Sequence, residues 1–252
     1  MNIKTSLLLF VLLANMLFFS CINKENKTES SQGIKGLFVN NTFLEKISDT
    51  IPGGVPSYCL EMNFISADSV DIDNGFEGYK LAYKKDGSNY ILLKASWKGD
   101  MIFTINRDSS ISLMDSAWTG IQSYSEFKKV PENKEHKSVF ETYLNEKMIA
   151  GEYILYKDNK STQQKIIFTA DGGVTGLEDY ATYSLCYSGD CIGETNPVSN
   201  YIYFSSRSNV QTDYAFKIDK KNKMLRFFSI AAPIKDIKGD REIKEKVFDL
   251  KK

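Results

Sequence analysis

The sequence predicts an all-β protein: two tandem, duplicated antiparallel meanders, each a small eight-stranded barrel, joined by a short helix. Three observations carry this. Short apolar–polar alternating runs recur with turn residues about every 8–12 positions. Tyr and Phe, the residues of half-buried strands, number 14 and 16. The second half of the chain also repeats the first in order, from strand to turn to strand.

The elements follow in chain order. Residues 1–20 read as a signal peptide. Lys4 is the sole charge before an apolar run from Leu7 to Phe19, interrupted only by Asn15. That run is shorter than the roughly 20 residues a membrane-crossing helix needs. The cut region Phe18-Phe19-Ser20-Cys21 resembles a lipobox, with Ser20 as the small residue before the cysteine. Phe18 and Phe19 depart from the usual Leu and small residue. The resemblance implies lipidation of Cys21; the competing reading is ordinary secretion with a spare thiol. Residues 21–33 are polar and too poor in core-formers to order themselves. They read as a flexible tether from a lipid-bearing Cys21 to the body.

The first β domain spans 34–130. Its expected strands are Gly36–Phe43, Tyr58–Ile65, Ser69–Asp73, Tyr79–Lys84, Tyr90–Trp97, Met101–Asn106, Ser110–Met114 and Tyr124–Val130. Tyr79, Leu81 and Tyr83 alternate with Lys80 and Lys84, giving one apolar and one wet face. Residues 131–148 form a linker and helix. Lys128 to Lys137 is polar and holds Pro131. Ser138-Val-Phe-Glu141 is a capping box, in which Ser accepts a free amide and Glu reaches back. Phe140, Tyr143, Leu144 and Met148 then recur at helical spacing.

The second β domain spans 149–252. Its expected strands are Gly151–Lys157, Gln163–Thr169, Gly173–Gly176, Thr182–Tyr187, Tyr201–Ser206, Tyr214–Asp219, Met224–Ile230 and Lys244–Leu250. Laid over the first domain without a gap, Phe64 falls on Phe168, Val70 on Val174, Tyr79 on Tyr183 and Tyr83 on Tyr187. After an insertion holding Cys191 and Pro197, Asn89-Tyr90-Ile91 matches Asn200-Tyr201-Ile202, and Phe103 and Ile105 match Phe216 and Ile218. Gly36-Leu-Phe38 matches Gly151-Glu-Tyr153 at the front.

A Gly-x-aromatic strand, the Phe168-Thr-Ala-Asp171-Gly172-Gly173 turn, a Tyr-x-Leu strand and a closing meander resemble the small lipocalin-like (calycin) β-barrel domains of bacterial lipoproteins. The first domain departs at the turn, reading Phe64-Ile-Ser-Ala-Asp68-Ser69 with no Gly. The resemblance implies calyx barrels on a membrane anchor in the bacterial cell envelope. It carries no catalytic set.

Cys186 and Cys191 flank Tyr-Ser-Gly-Asp, a turn-like tetrapeptide. Export implies an oxidising compartment, so a Cys186–Cys191 disulfide is expected across it. The alternatives are unbridged thiols or pairing with Cys59, which itself reads as a small buried hydrophobe.

Chemistry is sparse. The one histidine, His136, falls in the linker, which argues against a Ser-His-Asp or Cys-His enzyme. No phosphate loop, dinucleotide fingerprint or zinc spacing occurs, and no cofactor or metal is expected. Asp68, Asp71 and Asp73 have the look of a calcium loop, but the closing Glu is missing and a polar strand end is the plainer reading. Charge is balanced at 32 basic and 32 acidic residues, which argues against nucleic-acid binding. Trp97 and Trp118 read as core, with a ligand mouth or a partner surface as the alternative. The chain is thus expected to be a non-catalytic interaction or binding module held at a membrane through Cys21. Its expected partner is a protein or a small apolar ligand. A ligand carrier using the calyx is one alternative; a carboxylate-based hydrolase is another.

Overall fold

The computed structural model describes residues 33–47, 52–115, 123–131, 138–188, 195–232 and 241–252. Residues 35–252 form one compact unit. The first half is a closed barrel of eight antiparallel strands in chain order. They are β1 (Gly36–Asn40), β2 (Glu61–Phe64), β3 (Ser69–Asp73), β4 (Gly78–Asp86), β5 (Asn89–Ser96), β6 (Gly99–Ile105), β7 (Ile111–Asp115) and β8 (Ser123–Val130). Closure comes from β8 against β1, with Leu37 opposite Val130 and Asn40 opposite Phe127.

The second half comprises β9 (Gly151–Lys157), β10 (Lys160–Phe168), β11 (Val174–Thr175), β12 (Tyr180–Cys186), β13 (Thr195–Asn196), β14 (Asn200–Ser206), β15 (Gln211–Asp219), β16 (Met224–Ile230) and β17 (Arg241–Lys251). Leaving out β13, these strands have the same neighbours as β1–β8. The joint equivalent to β3–β4 differs: β11 is two residues long, and one bridge, Gly173 to Thr182, brings the sheet's ends together. The short β13 lies outside this path and pairs in parallel with β17.

Two α-helices and one 3-10 turn (Pro52–Gly54) complete the described elements. The helix α1 (Asn41–Lys46) was not expected; the first strand stops at Asn40 rather than reaching Phe43. Asn40 ends it by accepting from Phe43 N at 2.9 Å and donating to Cys59 O at 2.9 Å, so a buried amide caps the helix. The helix α2 (Val139–Met148) joins the halves. Ser138 is its N-cap and accepts from Glu141 N at 3.3 Å. The Glu141 side chain accepts from the Tyr187 hydroxyl, and a further tie to the helix start comes from the barrel. Glu61, on β2 of the barrel, accepts from Phe140 N at 2.5 Å and Ser138 Oγ at 2.8 Å.

The duplication holds in three dimensions, with two corrections to its alignment. Phe64 pairs with Val70 and with Gly36, and Phe168 pairs with Val174 and with Gly151, so these matches stand. Beyond them the ungapped overlay is displaced by four residues. Tyr83 and Tyr183 fill the same place: each ring meets Phe64 or Phe168 edge-on at 5.2 Å, and each hydroxyl donates to a carbonyl of the preceding turn, Ser66 O or Thr169 O. The shortened β11 removes four residues, and tyrosines spaced by four in both halves conceal the loss. The match of Tyr90 to Tyr201 is out by one residue, which turns a side chain to the opposite face. Tyr90 stacks on Phe103 at 5.1 Å inside the barrel, whereas Tyr201 joins Asp213 and Arg241 on the other face of its sheet.

Aromatic side chains fill both interiors. In the barrel Phe64 lies among Phe38, Tyr83 and Phe103, with Phe103, Phe127 and Leu92 fully buried. In the second half Phe168, Phe204 and Phe227 form the centre, joined by Tyr183, Tyr214 and Phe248. A separate contact layer lies between the halves. Leu37 and Val39 on the barrel's outer face, Phe43 of α1 and Phe140 and Leu144 of α2 belong to the second half's core cluster. Phe140 meets Phe43 at 5.4 Å and Tyr187 at 5.5 Å.

Candidate functional site

With the interiors filled, three concave surfaces lie around α2. One is a groove of about 560 Å³ between β2–β4 and the start of the helix. Alternation puts Val70 and Ile72 inside and leaves Asp71 and Asp73 outside, so the acidic groups Glu61, Asp71 and Asp73 line this groove. Burial pushes the Glu61 carboxyl above its ordinary range, against the hydrogen bonds from Phe140 N and Ser138 that favour its charged form. Its acceptor oxygen is engaged by the helix, so Glu61 ties two elements together rather than facing a substrate.

The expected calcium-like run is a strand, not a loop. Asp68 lies at one end of β3, where its carboxylate accepts from Ser66 Oγ; Asp73 lies at the other and accepts from Gly75 N. Asp71 stands across from Lys80, 4.0 Å away. A strand rises about 3.3 Å per residue, which spreads these carboxylates along its length. Among the described residues no three Asp, Glu, His or Cys side chains converge in a way that would hold a metal ion.

A second crevice, of about 260 Å³, lies between α2 and the turn after β10. Here Tyr187 donates to Glu141 Oε1 at 3.0 Å, and burial, with the neighbouring carboxylate, pushes its hydroxyl well up. Ser188 Oγ donates to Gly75 O at 2.6 Å, linking the two halves again.

The third crevice, also about 260 Å³, lies where the end of α2, the β15–β16 turn and the end of β17 meet. Its floor is apolar and its rim basic: Lys147, Lys220, Lys223 and Lys252 line it. One of these lysines belongs to a repeated device. Lys252 lies over the Tyr153 ring at 5.2 Å, and Lys129 over the Phe38 ring at 6.0 Å. A side chain at Gly151 or Gly36 would strike the lysine Cε at 2.8 or 2.9 Å. Gly-x-aromatic therefore supplies two parts of a three-part unit whose lysine comes some 90–100 residues later, too far along the chain for local pattern to reveal.

Cys186 ends β12, buried. Its expected partner Cys191 lies outside the described residues, as do Cys21, His136 and Trp118. Cys59 is a buried thiol, so it is not the disulfide partner of Cys186. Trp97, expected in the core, is 86 % exposed at the β5–β6 turn, with Lys98 Nζ 5.0 Å from its ring. No family model, no curated protein and no solved structure matches the chain.

Proposed function

We propose that this chain is a lipoprotein of the bacterial cell envelope, anchored through Cys21, whose two β units act as a non-catalytic interaction module. The observation that carries this reading is the filling of both interiors by aromatic rings, which leaves the outer surface and the crevices around α2 for recognition. Filled lumens argue against the calyx carrier, because an eight-stranded barrel is wide enough for its own side chains or for one small ligand. Exposed Trp97 adds a rigid aromatic of the kind enriched at protein interfaces. The Cys186–Cys191 bridge belongs to the same reading, since export places both cysteines in an oxidising compartment.

Mass spectrometry of the chain recovered from a bacterial membrane fraction tests it. The expected result is a mature N-terminus at Cys21 carrying acyl mass, and a protein-only native mass for the body. An unmodified Cys21 would overturn the anchor. An apolar mass released on unfolding, from a site insensitive to outer-surface substitutions, would overturn the filled-barrel reading in favour of the carrier.

A further inference from the structure

The basic crevice at the end of α2 is built from two unlike parts. Its floor is Ile47, Met148, Tyr153 and Leu225, each less than a tenth exposed. Around that floor stand Lys147, Lys220, Lys223 and Lys252, with the Lys252 ammonium over the Tyr153 ring. Lys147 and Lys223 make no ion pair among the described residues, and Lys252 donates to Ala150 O at 3.1 Å. Asp219, the acid in the lining, is already engaged by Arg226 at 3.1 Å and by the Asn222 side-chain amide at 2.8 Å. Four lysines on one rim repel each other, and an anion placed among them lowers that cost. The apolar floor beneath favours a ligand that also brings hydrocarbon. A cavity of about 260 Å³ is small beside drug-sized pockets of roughly 300–1,000 Å³.

We propose that this crevice binds a small amphiphile with one anionic head, of the class of medium-chain carboxylates. The head sits among Lys147, Lys223 and Lys252, and the tail lies along Ile47, Met148 and Leu225. This site lies outside both lumens, and the inference goes beyond the interaction module without depending on the lipid at Cys21.

The test is equilibrium dialysis of labelled octanoate against the full chain at fixed detergent concentration. The comparison proteins are the triple variant Lys147→Gln, Lys223→Gln, Lys252→Gln, and Ile218→Asn, which alters the crevice edge at a residue already 38 % exposed. Circular dichroism and melting confirm that each variant folds. The expected result is saturable binding of one octanoate per chain, weakened roughly tenfold by the triple variant. Ile218→Asn weakens it too, and millimolar inorganic phosphate leaves it in place. No saturable binding, or equal uptake by wild type and triple variant, overturns the site. Phosphate that binds as tightly and displaces octanoate overturns the amphiphile class, leaving a simple oxyanion site.

Discussion

Glu61 is a carboxylate on a strand whose oxygen caps a helix almost eighty residues away. Replacing it with Ala leaves the Phe140 amide without its acceptor, and the expected loss is about 1–2 kcal/mol in urea unfolding. Glu61→Gln keeps an acceptor oxygen and costs less. The sign with pH is set by burial, which raises the folded carboxyl above its ordinary value of 4.5. The contribution of Glu61 is therefore fully present below that value and declines as pH rises through the folded one. The stability gap between wild type and Glu61→Gln should shift in favour of Gln across that rise; a gap flat from pH 4 to 8 would contradict it. Gly176 sets a second residue-scale constraint. Its φ is +80°, and an added Cβ would lie 2.1 Å from the Lys165 carbonyl oxygen, a backbone atom that cannot swing away. Gly176→Ala should cost roughly 2–3 kcal/mol, against about 1 for Gly87→Ala, which has φ +60° but open space.

At the scale of elements, the two halves close their sheets by different means. The barrel pairs β3 with β4 through five residue pairs, whereas β11 and β12 meet at one bridge. The second half has additional ties elsewhere. Arg241 on β17 bonds Asp213 on β15 and Tyr201 on β14, and its Nε donates to Ala231 O at 2.8 Å. Burial alone would raise the Asp213 carboxyl, but the Tyr201 hydroxyl and Arg241 guanidinium hold it below the usual carboxylate range. A lowered folded value gives stability that is present above the unfolded value of 3.8 and is lost as pH falls through the folded one. Asp213→Asn should lower the melting temperature by a few degrees at pH 7, and the difference should shrink as pH falls below the unfolded value of 3.8. A difference that persists undiminished at pH 2 would assign the tie to packing instead of charge.

At the scale of the whole molecule, α2 converts two repeats into one unit. Phe140 is fully buried between Phe43 and Tyr187, so both halves contribute to the site it fills. Truncating a buried Phe to Ala removes apolar contact and leaves a cavity, at about 3–5 kcal/mol. Here that loss falls on the contact between the halves. Calorimetry of Phe140→Ala should resolve two transitions where the wild type has one. A single transition merely shifted down would place the coupling in the hydrogen bonds of Glu61, Tyr187 and Ser188 rather than in the aromatic contact.

The sequence by itself determined what is local. Period-two alternation placed Tyr79, Leu81 and Tyr83 on one face, Ser138 marked a helix start, and most strands lie within a few residues of the positions read from turn residues. The order of strands and the existence of a repeat were also legible, because both are carried by the succession of such signals. Only the tertiary structure decided the register of the repeat. A shift of four preserves the face of every side chain in a strand, so the pattern of Tyr183 and Tyr187 fits either alignment until Phe168 selects Tyr183. The cap on α2, the lysines over Phe38 and Tyr153, and the basic crevice were equally out of reach of local reading. Each joins residues from distant strands, and alternation along a strand states which face a residue takes but not which partner it meets there. That choice is made when the sheets close and the aromatic cores fill.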